Sequence, residues 1–298
     1  MWVHLNGHLV EESGALLSVF DRGFLYGDGI FESMRAVEGV VFREGRHLER
    51  LGRSAAGIGL ALPLTATGFS SAMRDLLDRN GLREARIRVT ITRGEGRPGD
   101  YVEAYGPPSV VISAARFEGV DAALHRDGVR VAVARRRQIP PECLDPAIKS
   151  ISRLTSVLAR REARESGAFE AILLDGEGRP TEGTVSNLFL VLDGGLLTSP
   201  APAGGLPGIT RGAVVELARA ASIRVSEGCL APGLLDSADE VFLTNTTWEV
   251  LPVVRIGETA VGGGVPGPVT RDLLARYREL VRFECTSGSA GRRGEVRA

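Results

Sequence analysis

The chain has 298 residues, 43% hydrophobic and 24% charged, and its 36 Lys+Arg balance 37 Asp+Glu to a net charge of −1. Such a composition belongs to one large or two medium globular domains and gives no electrostatic reason to expect a nucleic-acid or membrane-surface partner. No apolar run reaches the roughly 18 residues of a membrane helix. Residues 1–8 lack the basic and apolar regions of a signal peptide, and three cysteines without a CxxC pair point to a reduced, cytoplasmic setting.

In chain order, Val3-His4-Leu5 and His8-Leu9-Val10 flank Asn6-Gly7, a strong hairpin signal. Ile30 to Ala36 and Val40-Val41-Phe42 flank Glu38-Gly39 and read as a second hairpin. Leu48, Leu51, Ala55 and Ile58 form a helical stripe after His47. Met73, Leu76 and Leu77 repeat it, with Gly81 at the place of a C-terminal cap. Arg86 to Thr92 alternates strictly and reads as a strand, followed by another at Val110-Val111-Ile112. A polar stretch at 116–128 marks a domain boundary before the strand from Val129 to Ala134. Leu154, Val157 and Leu158 share a helix face, and Ala171 to Leu174 reads as a buried strand. Leu188 to Val191 and Leu196-Leu197 form a hairpin around Asp193-Gly194-Gly195, and Val214, Leu217, Ala218 and Ala221 mark a helix after Gly208. The Ser/Gly/Arg-rich residues 286–298 read as a disordered tail. The class is α/β (α+β), with a small domain over 1–120 and a larger one over 125–285.

Three familiar patterns lead nowhere. Gly94-Glu95-Gly96-Arg97-Pro98-Gly99 matches GxGxxG after a strand, but Pro98 and Gly99-Asp100 stop a helix from opening, so a mobile loop is expected. The four histidines have no metal-ligand spacing, and His4 and His8 are expected on a surface hairpin. No GxSxG elbow is present. The basic residues are more informative: 35 are arginine and one, Lys149, is lysine. Arginine serves wherever a fixed positive charge suffices, but it cannot supply an amine that loses its proton and attacks a carbonyl.

Around Lys149 the chain reads Asp145-Pro146-Ala147-Ile148-Lys149-Ser150-Ile151-Ser152-Arg153-Leu154. Downstream come Thr181-Glu182-Gly183-Thr184, then Gly208-Ile209-Thr210 at a helix start, then Thr244-Asn245-Thr246-Thr247-Trp248-Glu249. These segments supply an amine, a carboxylate, a helix N-terminus with unpaired N–H groups, and hydroxyls. Together they match the needs of pyridoxal 5'-phosphate: an amine for its carbonyl, a charge for its ring nitrogen and an anchor for its phosphate.

The same segments resemble the class IV (fold type IV) pyridoxal-phosphate aminotransferases. That family includes branched-chain aminotransferases, D-amino-acid transaminases and 4-amino-4-deoxychorismate lyases. Asp21-Arg22-Gly23-Phe24-Leu25-Tyr26-Gly27-Asp28-Gly29-Ile30-Phe31-Glu32, His47-Leu48-Glu49-Arg50-Leu51 and Gly267-Pro268-Val269-Thr270 extend the resemblance over about residues 3–282. It implies that Lys149 links to the cofactor and shuttles a proton, and that Glu182 pairs with the ring nitrogen. Arg50, Ile209, Thr210 and Thr246 match phosphate-holding positions. Tyr26, Phe31, Ser33, Arg35, Arg88, Arg97 and Thr247 are the candidate substrate-binding residues. The resemblance further implies a homodimer in which the loop from Gly94 to Tyr101 reaches the other subunit's site.

The departures divide the subfamilies. Leu154 stands where branched-chain enzymes usually carry Tyr. Ser33 with Arg153 leans toward the lyase, whereas Ser150, Gly167-Ala168-Phe169-Glu170-Ala171-Ile172-Leu173 and Gly267-Pro268-Val269-Thr270 resemble the D-amino-acid transaminases. The expected activity is therefore ping-pong amino transfer between an amino acid, D- or broadly accepted, and a 2-oxo acid. The alternatives are release of 4-aminobenzoate and pyruvate, L-branched-chain transfer, and an inert cofactor-binding homologue.

Overall fold

Period-two alternation in the first third of the chain lays down a sheet with one apolar face. A computed structural model describes residues 1–102, 106–200 and 204–295. It divides into two units, Met1–Glu118 with Ile148–Ser152 and Val281–Ala298, and Gly119–Ala147 with Arg153–Leu280.

The first unit holds β1 (Trp2–Leu5), β2 (His8–Glu11), α1 (Arg22–Tyr26), β3 (Gly29–Val37), β4 (Val40–Val41), α2 (Glu44–Gly57), α3 (Ala66–Arg79), β5 (Ala85–Thr92) and β6 (Ser109–Arg116). Its six strands run in the order β2-β1-β6-β5-β3-β4. Both hairpins form where the sequence places them. Asn6 (φ 49°) with Gly7 (φ 92°), and Glu38 (φ 53°) with Gly39 (φ 76°), adopt the paired left-handed conformations of a tight two-residue turn. The inward residues Ile30, Met34, Ile87, Val89 and Ile91 pack with Leu51 and Ala55 of α2 and with Phe69, Met73 and Leu76 of α3. Each large side chain so buried contributes about 1.5–3 kcal/mol.

The second unit holds α4 (Ala122–Asp127), β7 (Val129–Arg137), α5 (Leu154–Glu165), β8 (Glu170–Leu174), β9 (Pro180–Gly183), β10 (Asn187–Leu192), β11 (Gly195–Thr198), α6 (Ile209–Ala220), β12 (Val225–Glu227), α7 (Leu234–Ser237), β13 (Glu240–Asn245), β14 (Glu249–Ile256) and β15 (Thr259–Ala260). Strands β10-β13-β14-β7-β8-β9 follow one another, and β9 pairs back onto β10 through Glu182 and Asn187, closing a ring.

The structure refines four expectations. Ile148–Ser152 belongs to the first unit, inside the stretch expected to form one continuous domain over 125–285, because it pairs with β3. Leu154 and Val157 are 70% and 60% exposed, and α5 buries Ala159 and Ala163 against Ala134, Ala168 and Ala171. Small residues there allow close approach to the sheet. His4 is buried, since β1 lies between β2 and β6. The last helix, α8, runs Pro268–Glu295 and so includes most of the segment expected to be a disordered tail, whose residues 296–298 lie outside the described ones. Among the described residues no helix is long and apolar enough to cross a membrane, and no cluster of His, Cys, Asp or Glu is arranged to hold a metal.

Candidate active site

Each unit carries part of the expected set. In the first, β3 points Ile30, Glu32 and Met34 inward and leaves Phe31, Ser33 and Arg35 on the other face. A fully buried carboxylate such as Glu32 needs partners to offset its lost hydration. Arg50 supplies them through Nε (2.7 Å) and Nη2 (2.8 Å), and His47 Nδ1 lies 2.8 Å from the same carboxylate. His47 and Arg50 are three residues apart on α2 and therefore share a face. Burial pushes Glu32 up, but the Arg50 charge and hydrogen bonds, with the His47 bond, outweigh it and hold the carboxyl well below its usual range. Burial lowers His47, and the Glu32 bonds only partly oppose it, so the neutral ring donates from Nδ1.

The same helix fixes the lysine. Ser54, one turn beyond Arg50, accepts the backbone N–H of Lys149 at 3.1 Å, and the Phe31 N–H donates to the Lys149 carbonyl at 2.9 Å. The Lys149 amine then lies 4.6 Å from the centroid of the Phe31 ring, and the Arg88 guanidinium carbon 4.0 Å from the same centroid. Register accounts for the meeting: β5 pairs antiparallel with β3, setting Arg88 opposite Ser33 and Thr90 opposite Phe31. Arg88 Nε also donates to the Thr90 hydroxyl at 3.1 Å. Arg35 is opposite Arg86 instead, with its guanidinium 5.6 Å from the Phe117 ring. Arg35 and Arg88 thus stand diagonally across the β3–β5 pair, each against a different aromatic ring.

Tyr26 and Arg97 belong to one loop system. The Tyr26 hydroxyl accepts the Gly99 N–H at 3.0 Å, and its ring lies 4.9 Å from that of Tyr101. Buried Arg22 donates to the carbonyls of Asp100 and Tyr101, both at 2.7 Å, while its Nε pairs with Asp28. Gly94 and Gly96 are bonded to Arg22 and Phe20 through the backbone. The loop expected to be mobile is thus fastened at both ends, and Arg97 stands exposed on it.

In the second unit Glu182 is buried on β9. Gln138 Nε2 donates to one carboxylate oxygen and the Leu206 N–H to the other, each at 3.0 Å. Gly205 backs onto it so closely that a Cβ there would lie 2.5 Å from Oε2. The turn after β9 is held by Thr184, which donates to buried Glu170 at 2.6 Å and whose carbonyl accepts from Arg153. Ile209 and buried Thr210 open α6, whose N-cap Gly208 has no side chain to occupy the first N–H groups. Asn245 Oδ1 accepts from the Thr247 N–H (2.9 Å), the Thr247 hydroxyl (3.1 Å) and the Trp248 N–H (2.7 Å), and so fixes the turn carrying Thr246 and Thr247.

Sequence reasoning missed Ser54, Gln138 and Asn245 and assigned Glu32 and His47 no role. The Glu32 signal was present: an acid at an inward strand position, with His47 and Arg50 on one helix face. Ser54, Gln138 and Asn245 carry no comparable pattern, because their partners are set by tertiary pairing.

Residues 29–256 match the family model for class IV amino-transferases. A Methanocaldococcus jannaschii protein provisionally named branched-chain-amino-acid aminotransferase is 39% identical over 280 residues, covering 94% of this chain and 96% of its own. The D-alanine aminotransferase of Bacillus licheniformis is 34% identical, covering 95% and 98%. The crystal structure of the T.th. branched-chain amino acid aminotransferase with pyridoxamine 5'-phosphate superposes with a TM-score of 0.90 at 31% identity, covering 94% and 93%. Each kind of group such a cofactor needs is present: an amine in the first unit, and in the second a buried carboxylate backed by glycine and a helix whose N-cap, Gly208, has no side chain. The chain belongs to the class IV aminotransferases, pyridoxal-phosphate enzymes of fold type IV.

Proposed function

We propose that the chain transfers an amino group between an amino acid and a 2-oxo acid in two half-reactions, and that it accepts D-amino acids or a broad range. The observation that carries this reading is the shared position of Lys149 and Arg88 on the Phe31 ring. An amine able to carry a proton stands beside a guanidinium able to hold an α-carboxylate by its fork. Bound pyridoxal phosphate supplies the carbonyl that receives the amino group and the electron sink.

The chain's residues do the rest. Lys149 would hold the cofactor through its amine, would be freed when the substrate's amino group takes its place, and would then move the proton from the substrate's α-carbon to the cofactor carbon that it had occupied. Glu182 keeps the ring nitrogen protonated. Arg50, Ile209, Thr210 and Thr246 hold the phosphate, and the Glu32–His47 pair holds Arg50. Arg88 orients the α-carboxylate, with Ser33, Tyr26 and Thr247 lining the substrate and Arg35 and Arg97 supplying further charge.

Leu154 and Ser150 favour the D-amino-acid or broad reading over a strictly L-branched-chain one. Exposed Leu16, Val19, Phe20 and Phe24 support a homodimer, to be read from molar mass in solution. The deciding experiment is an absorbance screen of single D- and L-amino acids against the purified enzyme. Conversion by D-alanine or by both hands supports the reading. Conversion confined to L-leucine, L-isoleucine and L-valine overturns its specificity, and pyruvate release without amino transfer overturns its reaction.

A further inference from the structure

We propose that Gln138 is a positioning residue: its side-chain amide holds the Glu182 carboxylate in the orientation and charge state that the cofactor's ring nitrogen requires. The inference rests on the reading of Glu182 given above and goes beyond it. Gln138 follows the last residue of β7, and its backbone N–H donates to the Leu174 carbonyl at the end of β8 at 2.9 Å. Pinned there, it sends its side chain past β8 to Glu182 on β9, 3.0 Å from Nε2 to Oε1. An ionised carboxylate only accepts, so the NH₂ end of the amide must face it. With the Leu206 N–H on the other oxygen, both carboxylate oxygens receive a fixed donor, which sets the carboxylate plane, and donors of this kind favour an ionised carboxylate.

The choice of residue matters as much as its place. Gln138 directly follows Arg135-Arg136-Arg137 in a chain that uses arginine for nearly every cation. A fourth arginine would pair with Glu182 and cancel the charge needed opposite a protonated ring nitrogen. A neutral amide orients the carboxylate and leaves that charge in place.

Two substitutions test this: Gln138→Met keeps the shape without the donor, and Gln138→Glu sets a second carboxylate against the first. Three quantities are measured: affinity of the cofactor-free protein for pyridoxal phosphate, the pH titration of bound-cofactor absorbance, and the single half-reaction rate. Gln138→Met should slow the half-reaction roughly ten- to a hundredfold, the scale of one hydrogen bond to a charged group. It should also move the absorbance titration while leaving Tm near wild type. Gln138→Glu should lose more, and more at pH 8 than at pH 6, because like charges disfavour ionisation of the pair. Affinity, titration and rate within twofold of wild type in both variants would overturn the proposal, whatever happens to Tm. If Gln138→Met does not fold, the pH dependence of Gln138→Glu decides alone. Glu182→Gln is measured alongside. Wild-type behaviour there overturns the role of Glu182 itself, whereas a slow Glu182→Gln beside unaffected Gln138 variants overturns only the role of Gln138.

Discussion

Lys149 and Ser54 are joined by a backbone-to-hydroxyl hydrogen bond of 3.1 Å, although 95 residues separate them. Ser54 lies one turn beyond Arg50, so one helix seats both the lysine and the arginine bound to Glu32. Replacing Lys149 with Arg keeps a cation in this seat but removes the amine that can lose its proton. Turnover should be abolished with Tm near that of wild type. Borohydride reduction and peptide mapping of the wild type should place the cofactor label on the peptide containing Lys149, the only lysine. Label confined to the N-terminal amine would sink the assignment.

Glu182→Gln should bind cofactor with modest loss and slow the half-reaction by roughly a hundredfold or more, the scale of removing one electrostatic stabiliser from a water-poor site. A neutral amide cannot match the charge of a protonated ring nitrogen. A half-reaction rate equal to wild type would show that Glu182 is only a structural acid of β9.

Gly205→Ala tests the packing behind that carboxylate. The new Cβ would fall 2.5 Å from Oε2 and 2.8 Å from Cδ of Glu182, so one of them must move. Overpacking of this kind costs about 1–3 kcal/mol. We expect weaker cofactor binding and a slower half-reaction, measured as for Glu182→Gln. Cofactor affinity unchanged with Tm lowered would mean that the glycine serves the fold alone.

Much of this was legible because the signals are local. Turn pairs such as Asn6-Gly7 and strand alternation such as Arg86 to Thr92 set backbone geometry over a few residues, and both formed as expected. The buried face of α5 was not legible, because alanines, not the larger Leu154 and Val157, let it approach the sheet. The partners of Glu182 and Lys149 were invisible for a different reason. Gln138 and Ser54 reach their partners through strand pairing and helix placement, which no spacing in the chain records.

The buried Glu32–His47–Arg50 group predicts loss of stability in acid. His47 has a folded-state value below its usual 6.5, so the unfolded chain binds the proton more readily and stability falls as pH drops below about 6.5. Glu32 is depressed as well, so its contribution is present above its usual 4.5 and is lost as pH falls below that value. Tm against pH should decline below 6.5 and more steeply below 4.5. Glu32→Gln should flatten the lower part of that decline and cost about 3–5 kcal/mol at pH 7, because it leaves Arg50 buried without its carboxylate. A Tm independent of pH between 7 and 4 would contradict the pairing.

Arg88 and Arg35 face the same side of the sheet but occupy different places on it. Arg88 stacks on Phe31 beside Lys149, and Arg35 lies against Phe117. Arg88→Lys keeps the charge but loses the planar fork that binds a carboxylate through two parallel bonds. The expected cost is ~1.5–3 kcal/mol, or roughly ten- to a hundredfold in kcat/KM. Arg35→Lys should cost less in kcat/KM, since its guanidinium lies against Phe117, whereas that of Arg88 lies on Phe31 beside the lysine. Cofactor absorbance should stay near wild type in both, because neither residue is assigned to the phosphate. Arg88 is exposed and its stacking contributes only about 0.5–1 kcal/mol, so Tm should change little on its replacement. If Arg88→Lys lowers Tm but leaves kcat/KM per folded molecule unchanged, the arginine serves the sheet. If Arg35→Lys loses more than Arg88→Lys, the carboxylate lies toward Phe117, and the pairing of amine and guanidinium on Phe31 is not the substrate's anchor.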